Sequence, residues 1–566
     1  MRASHSFLIP LLTVGPALAA TVRLNDTTLI GTDILPAGHA PQEWFAGIPY
    51  AEPPVGIPRF QPPVAKALTE VALNATSYGP GCPQPVRRMH MRMPNLDTLG
   101  VAYEDQSEDC LTVNILRPAN IPSEATLPVP CRVYGGGFHG GSARTFNATD
   151  LVAQSVDRGT PIIYVNFNYR LGPLGFPQGS EMGDNGMLNV GLKDSLLAFQ
   201  WINKNIAAFG GNPAKTNALI RAQGSITIQI LSLQASFASY IRAAIFQSGF
   251  AATSTLKKAS AHQDQWNSFV EAAGCGEVTT NTLDCLQNAD TNTIMNATRT
   301  VIPDTPRGWF PNLDGDMVPD LPSRIWASGE YTKVPFIAGT HLDDGTRLTP
   351  TFVKNELEVR AVLNAMETPT LDEYNSIQLD KHISKILDLY PNDPSLGSPY
   401  NTGNETFGLS AQYKRLASIM GDINFESQRR LWQETTATDG VPSYGYLFTD
   451  PQVDSEPRYG VPHGAIVDYM YHRIPEAAPQ SSWNLSSQIM DYYLSFATSL
   501  TPNDGLGVPR AEWPRWEANN KVLMQLDGTN LGSIPDTYRQ KQIEYLNSDP
   551  GLLHHRAVRH GRQGLH

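Results

Sequence analysis

The distribution of apolar and polar residues alternates between strand-like and helix-like patterns along most of the chain. Residues 161–167 form a continuous β-branched and aromatic run, which is typical of a central strand covered on both faces. From Cys110 onward apolar and polar residues alternate over a short stretch, which predicts a half-buried strand. Residues 191–208 favour a helix, because apolar side chains recur at helical spacing at Leu196, Leu197, Phe199, Ile202 and Ile206.

Two further strands are predicted at residues 242–249 and 334–339. Strands that alternate with helical segments indicate a parallel sheet with helices on both faces. Long segments between the strands, such as residues 350–440, are expected to pack as a helical cap. The predicted fold class is therefore α/β, with a central, mostly parallel sheet flanked by helices.

The segment at residues 45–54 is punctuated by proline and glycine. Proline fixes its own φ angle and removes a backbone donor. We therefore expect this segment to lie as extended chain along the surface.

The N-terminus has the features of a secretory signal peptide, assigned to residues 1–19. Arg2 supplies a positive charge, residues 7–14 are apolar, and Ala17-Leu18-Ala19 fits a cleavage site. We expect residues 20–566 to form a single domain. No later apolar run is long enough to predict a membrane span.

Secretion predicts glycosylation and disulfide bonds, and the sequence offers both kinds of site. Five cysteines leave at least one unpaired. The sequons for N-glycosylation begin at Asn25, Asn74, Asn147, Asn296, Asn404 and Asn484.

Charge and motifs restrict the partners. The net charge of −12 argues against a nucleic-acid partner, which favours a basic face. The sequence has no CxxC pair, HExxH motif or EF-hand loop, so no metal or other cofactor is predicted. The oligomeric state is left open.

Several short motifs occur in a fixed order along the chain. They are GIPYAEPP at 47–54, EDCL at 108–111, YGGGF at 134–138, NYR at 168–170, NIAAFGGNP at 205–213, QSG at 247–249 and WP at 513–514. As a set they resemble the type-B carboxylesterase/lipase family, the cholinesterase-like branch of the α/β-hydrolase fold. The resemblance covers about residues 45–526 and implies an α/β-hydrolase fold with a pocket for carboxylic esters.

The resemblance also implies two disulfide bonds, Cys82–Cys110 and Cys275–Cys285. Closing loops of this size stabilises a chain by about 2–4 kcal/mol each. Cys131 is then the free cysteine, and we interpret it as a buried small hydrophobic residue rather than a reactive thiol.

Members of this family hydrolyse esters with a serine, a histidine base, an acid and backbone donors for the oxyanion. The resemblance implies that His463, in a Gly-x-x-His-Gly loop, is the base. It implies that Asp344 is the acid, although the family usually has glutamate there. Asp343 matches a family position that is usually aspartate, for which the resemblance implies a structural role; alternatively, both aspartates only cap a helix. The oxyanion donors would be the backbone N–H groups of Gly136, Gly137 and Gln223, unless the glycines simply form a tight loop.

The position of the nucleophile departs from the family pattern. The family has Gly-Glu-Ser-Ala-Gly, whereas this chain has Ile220-Arg221-Ala222-Gln223-Gly224. Ala222 has no oxygen and cannot attack a carbonyl. Ser225 lies almost one helical turn further on, so we do not expect it to face His463.

Three explanations would account for this departure. In the first, the protein is a catalytically silent binding or adhesion-type member of the family. In the second, it is an enzyme that uses His463 and Asp344 for elimination or cyclisation of a carbonyl compound. In the third, it is an ordinary esterase and the gene model contains an error across residues 216–225.

The expected ligand is a small carboxylic ester or a related carbonyl compound. In cholinesterases the loop between the first two cysteines supplies a tryptophan for a quaternary ammonium group. Residues 83–109 of this chain contain no tryptophan, so the resemblance disfavours choline esters as ligands. The same stretch contains basic residues that either favour an acidic or neutral ligand or form a solvated face: Arg87, Arg88, His90 and Arg92.

Overall fold

An eleven-stranded sheet organises the described part of the chain, and the first two strands belong to a separate, three-stranded sheet. The structure is a computed structural model that describes residues 20–85, 101–122, 124–221, 223–254, 256–278, 280–302, 308–366 and 376–553. The strands are β1 (Thr21–Leu24), β2 (Thr27–Ile30), β3 (Thr32–Ile34), β4 (Gln42–Pro49), β5 (Ala72–Asn74), β6 (Thr112–Pro118), β7 (Leu127–Val133), β8 (Tyr164–Phe167), β9 (Gly211–Arg221), β10 (Ala243–Gln247), β11 (Phe336–His341), β12 (Ser443–Phe448), β13 (Val522–Leu526) and β14 (Gly532–Pro535).

The large sheet is parallel in its centre and antiparallel at its edges. Its strand order is β14-β13-β12-β11-β10-β9-β7-β8-β6-β4-β3. The strands from β8 through β13 in this order pair in parallel. Parallel strands need long crossovers, and the helices supply them.

Helices cover both faces of this sheet. They are α1 (Thr149–Asp157), α2 (Gly172–Gly175), α3 (Ser180–Asp184), α4 (Val190–Asn205), α5 (Gln223–Leu231), α6 (Gln263–Ala272), α7 (Thr282–Asn288), α8 (Thr291–Val301), α9 (Pro322–Ser328), α10 (Glu356–Met366), α11 (Ser376–Leu389), α12 (Ala411–Gly421), α13 (Ser427–Thr438), α14 (Ile466–Met470), α15 (Gln480–Ser499), α16 (Gln540–Asn547) and α17 (Pro550–Leu553).

The core lies on both sides of the sheet. Successive side chains of a strand point to opposite faces, so each face has its own apolar layer. One layer packs against α4 and α5, through residues such as Phe199 and Ile226. The other packs against α1, α14 and α15, through residues such as Leu151 and Ile489.

Residues 350–440 are mainly helical, as the sequence predicts. Helices α10 to α12 bury a separate apolar cluster with α16. A π-helical turn, Asp422–Glu426, joins α12 directly to α13.

The prediction for residues 45–54 was wrong in part. Residues up to Pro49 belong to β4, which pairs with β3 and β6 within the large sheet. Phe45, Ile48 and Tyr50 are fully buried. The prolines obscured the pattern of a strand that pairs with a neighbouring strand on each side.

The cysteines pair as the resemblance implies. The sulfur atoms of Cys82 and Cys110 lie 2.03 Å apart, and those of Cys275 and Cys285 lie 1.98 Å apart. Cys131 is free and buried in β7, where burial raises its thiol pKa above the usual range.

All six sequon asparagines lie within the described residues, and each is exposed. The segment assigned as a signal peptide lies outside the described residues. Within the described ranges, none of the helices combines the length and apolar character needed to cross a bilayer.

Candidate active site

The predicted base, acid and oxyanion loop meet at the carboxyl ends of neighbouring strands. Gly136 and Gly137 follow β7, Gln223 opens the helix after β9, and Asp344 follows β11. His463 lies on the loop between β12 and α14. Open α/β sheets bind ligands at this edge.

His463 and Asp344 form a hydrogen-bonded pair. His463 Nδ1 lies 2.8 Å from Asp344 Oδ1. The His463 side chain is 16% exposed and that of Asp344 only 3%. Because Nδ1 donates its proton to the carboxylate, Nε2 is the basic nitrogen of His463.

Phe425 supports the ring of His463. The two rings stack with centroids 4.8 Å apart and an interplanar angle of 25°. Phe425 lies on the π-helical turn between α12 and α13. Such turns occur frequently at functional sites because they shift one side chain out of the regular helical register.

The Asp344 carboxylate is buried but well supplied with donors. Its Oδ2 accepts from the Ser248 hydroxyl and from the His341 backbone N–H, both at 2.8 Å. Its Oδ1 lies 3.1 Å from His341 Nδ1. Burial alone would raise the pKa of Asp344, but the electrostatic interactions and hydrogen bonds that it makes with His341 and His463 lower it below its usual range. Asp344 therefore stays ionised and orients His463.

His341 binds Asp344 from the side opposite to solvent. Its side chain is fully buried, and the Ile466 N–H donates to its Nε2 at 3.2 Å. Since Nε2 accepts, the ring proton lies on Nδ1, which faces Asp344. Sequence motifs do not reveal His341, because it lies outside the Gly-x-x-His-Gly pattern that identifies His463.

Ser248 is not a second nucleophile, although it lies 2.8 Å from His341 Nδ1. A serine triad needs the hydroxyl and the carboxylate on different nitrogens of one histidine. Here both contact Nδ1, and the other nitrogen accepts a backbone N–H. Ser248 therefore supports Asp344.

Asp343 anchors the loop that carries His463. Its Oδ2 accepts from the Val461 N–H at 2.9 Å, and its Oδ1 from Ser398 and the Tyr400 N–H, both at 2.8 Å. Burial, partly offset by these bonds, raises the pKa of Asp343 to about 6. A side chain at Gly460, which has a φ of 57°, would overlap the Asp343 carboxylate.

The oxyanion loop has the backbone conformation that its glycines permit. Gly136 and Gly137 have φ angles of 141° and 71°. A Cβ at Gly136 would overlap the Gly140 carbonyl oxygen, so glycine is required. The Gly136 N–H is already engaged: it donates to the side-chain Oε1 of Gln223 at 3.1 Å.

Ala222, at the predicted position of the nucleophile, lies outside the described residues, between the end of β9 and the start of α5. Gly224 packs so closely against β7 that a Cβ there would overlap the Val133 carbonyl oxygen. Ser225 is fully buried in α5, and its hydroxyl has no hydrogen-bond partner among the described residues. The basic residues at 87–92 also lie outside the described residues.

One group of possible metal ligands occurs in the described part of the chain: His341, Asp344 and His463. The group does not fit a metal ion, because both histidines direct Nδ1 at Asp344 and the Nε2 of His341 accepts from Ile466. A coordinating nitrogen must carry no proton.

Comparison with known proteins gives three findings. Residues 19–546 match the model of the Carboxylesterase family. Secreted lipase 1 of Botryotinia fuckeliana is 31% identical over 95% of this chain and 94% of that protein. Secreted triacylglycerol lipase LIP1 of Gibberella zeae is 30% identical over 95% of this chain and 91% of that protein.

A solved structure, that of EstA from Aspergillus niger, superposes with a TM-score of 0.79 at 23% identity. The match covers 95% of this chain and 99% of the EstA chain. Together with the strand order, this likeness confirms the predicted α/β-hydrolase fold.

Proposed function

The chain belongs to the carboxylesterase family, and from this premise we propose that it is a secreted member that binds a carboxylic ester or a related carbonyl compound without serine-dependent hydrolysis. The observation that carries the proposal is the alanine at position 222, in a chain that retains the hydrogen-bonded His463–Asp344 pair. Without a hydroxyl at this position, His463 has no serine to deprotonate.

The size of the expected loss is large. Removing the serine of a comparable triad, as in subtilisin, lowers turnover by about six orders of magnitude. A residual rate of about a thousandfold over water comes from the oxyanion donors and binding. We therefore expect no efficient ester hydrolysis from this chain.

Secretion and glycosylation are part of the proposal. The relatives from Botryotinia fuckeliana and Gibberella zeae are both named as secreted lipases. The sequence has a signal-peptide pattern in residues 1–19, and its six sequon asparagines are exposed. Two disulfide bonds suit an oxidising compartment.

The proposal is tested with purified protein and a p-nitrophenyl ester. Wild type should hydrolyse the ester no faster than the His463→Ala control does. Ala222→Ser should raise the rate by at least about tenfold, because His463 and Asp344 can then activate a hydroxyl. Hydrolysis by wild type at ordinary esterase rates would disprove the proposal.

The transcript should be sequenced across codons 216–225 before these assays. If it encodes serine in a Gly-x-Ser-x-Gly turn, the third explanation holds and the protein is an ordinary esterase. If it encodes Ala222, the departure from the family pattern is genuine.

A second candidate function is proton transfer to or from a carbonyl compound, as in an elimination or cyclisation. The oriented His463 favours it, because Asp344 and Phe425 hold the ring in one position and its Nε2 is basic. Loss of turnover of a carbonyl substrate in His463→Ala supports this function. A silent binding or adhesion-type protein would keep its binding in that variant.

A further inference from the structure

We infer that the side-chain amide of Gln223, in place of the Gly136 backbone N–H, is the donor that this pocket offers to a ligand carbonyl. The inference rests on the proposed function and identifies the group that recognises the ligand. It concerns the side chain of Gln223, whereas the resemblance implied a role only for its backbone N–H.

The first step is that the Gly136 donor is occupied. Its N–H lies 3.1 Å from Gln223 Oε1, within hydrogen-bonding distance. A backbone N–H can only donate, so the amide must present oxygen to Gly136. The orientation of the Gln223 amide is therefore fixed by chemistry, with Nε2 turned away from Gly136.

The second step is that Gln223 Nε2 is available. Gln223 is half-buried at the start of α5, and its Nε2 donates to no other described residue. Because Gln223 is only half-buried, part of its side chain remains accessible. An amide nitrogen carries two N–H donors.

The third step concerns the adjacent Gly137. Its N–H has no acceptor among the described residues. The loop therefore keeps one backbone donor, and Gln223 adds side-chain donors next to it. Both are neutral, so they suit the oxygen of an uncharged carbonyl, such as that of an ester or a ketone.

With these donors, the ligand carbonyl binds at a different position from that of a serine hydrolase substrate. The carbonyl oxygen is held by a side chain that stands between it and the Gly136 backbone. The carbonyl carbon is thereby moved away from the position where backbone donors would stabilise an oxyanion. This arrangement fits non-covalent binding by a chain with alanine at the nucleophile position.

The test compares two variants of Gln223 in binding 2-octanone, a ketone that cannot be hydrolysed. Gln223→Glu keeps an acceptor for Gly136 but replaces the Nε2 donors by oxygen, so the dissociation constant should rise at least about tenfold. Gln223→Ala removes the same Nε2 donors but uncovers the Gly136 N–H, which replaces them in part, so the dissociation constant should rise less than in Gln223→Glu, by about threefold. Titration calorimetry measures both, with Gln480→Glu, an exposed position, as the charge control.

Three outcomes would overturn the inference. Wild-type affinity in Gln223→Glu would mean that Nε2 does not bind the ligand. Unchanged or tighter binding in Gln223→Ala would mean that the Gln223 side chain does not hold the ligand. Absence of ketone binding by wild type would reject the carbonyl pocket itself, and with it the proposed function.

Hydrogen exchange gives a readout that does not depend on a ligand. In mass spectra of the peptide spanning residues 134–140, exchange should be faster in Gln223→Ala than in wild type, because the Gly136 N–H loses its acceptor. Gln223→Glu should leave exchange unchanged or slower. Equal exchange in wild type and Gln223→Ala would contradict the contact on which the inference stands.

Discussion

At the scale of single residues, Asp344, the predicted acid, depends on a neighbour that the family motif does not identify. Asp344 is one methylene shorter than the glutamate usual in the family. His341 contacts it twice, through the backbone N–H and through Nδ1, and is tied to α14 by the Ile466 N–H. We interpret His341 as a positioning residue that fixes the shorter carboxylate toward His463.

Replacing His341 with alanine should lower the free energy of unfolding by about 1–3 kcal/mol, because buried donors and acceptors lose their partners. Urea denaturation measures the change. His39→Ala is the matched control, since His39 is 37% exposed and contacts Asp157 at the surface; it should cost less than about 1 kcal/mol. Equal effects of the two substitutions would argue against a buried structural role for His341.

The sequence could predict His463 and Asp344 as a pair because each lies in a local motif. It could not predict the contacts of His341 and Ser248 with Asp344. Those contacts arise because β10 and β11 are parallel neighbours, so that residues following one strand meet residues ending the other. Side-chain contacts between loops, such as Gln223 with Gly136, have no signature along the chain.

At the scale of elements, the Asp343 carboxylate joins three segments that are far apart in sequence. It follows β11 and binds the loop before α14 and the segment at 398–400. The loop carrying His463 is therefore positioned by the hydrogen bonds of a buried carboxyl group.

This arrangement predicts a pH dependence. Burial raises the pKa of Asp343 from 3.8 to about 6 in the folded chain. The folded chain thus binds this proton more tightly than the unfolded chain does. The stability that Asp343 contributes is present below pH 3.8 and is lost as the pH rises through about 6.

Asp343→Asn should remove this component. Urea midpoints of wild type should decline relative to those of the variant between pH 3.8 and about 6. The difference between the two curves isolates Asp343 from other groups that titrate in both proteins. Parallel curves over this range would contradict the assignment.

Periodicity predicted several elements well and others poorly for identifiable reasons. The helix expected at residues 191–208 is found as α4 and a following turn of 3-10 helix. Strand β4 was missed because the prolines at 49, 53 and 54 dominated the pattern. The π-helical turn that places Phe425 on His463 arises from one extra residue in a helix, which apolar spacing does not reveal.

At the scale of the whole molecule, a buried ionic cluster fastens the helical segment to the C-terminal part of the chain. Arg429 and Arg430 of α13 both donate to Asp536, which follows β14, at 2.7 and 2.9 Å. Arg429 also donates to Glu426 on the π-helical turn. All four side chains are buried, so none can exchange its partner for water.

Asp536→Asn should lower the free energy of unfolding by about 3–5 kcal/mol, because it leaves two buried guanidinium groups short of negative charge. Urea denaturation again measures the loss. The exposed ion pair between Lys521 and Glu434 provides the comparison, and Lys521→Ala should cost no more than about 1 kcal/mol. If Asp536→Asn lost no more stability than Lys521→Ala, the buried cluster would contribute little.

The burial of Cys131 has a consequence for how the chain acquires its covalent bonds. Two disulfide bonds use four of the five cysteines and leave one free. Any of the five can be the free one, and the other four can pair in 3 ways, so an unfolded chain has fifteen possible pairings. Twelve of these include Cys131. Once β7 lies between β8 and β9, the thiol of Cys131 is fully buried and no longer accessible to an oxidant or to another cysteine. Formation of the sheet thus prevents incorrect disulfide bonds that include Cys131. Such bonds can form only before β7 is enclosed.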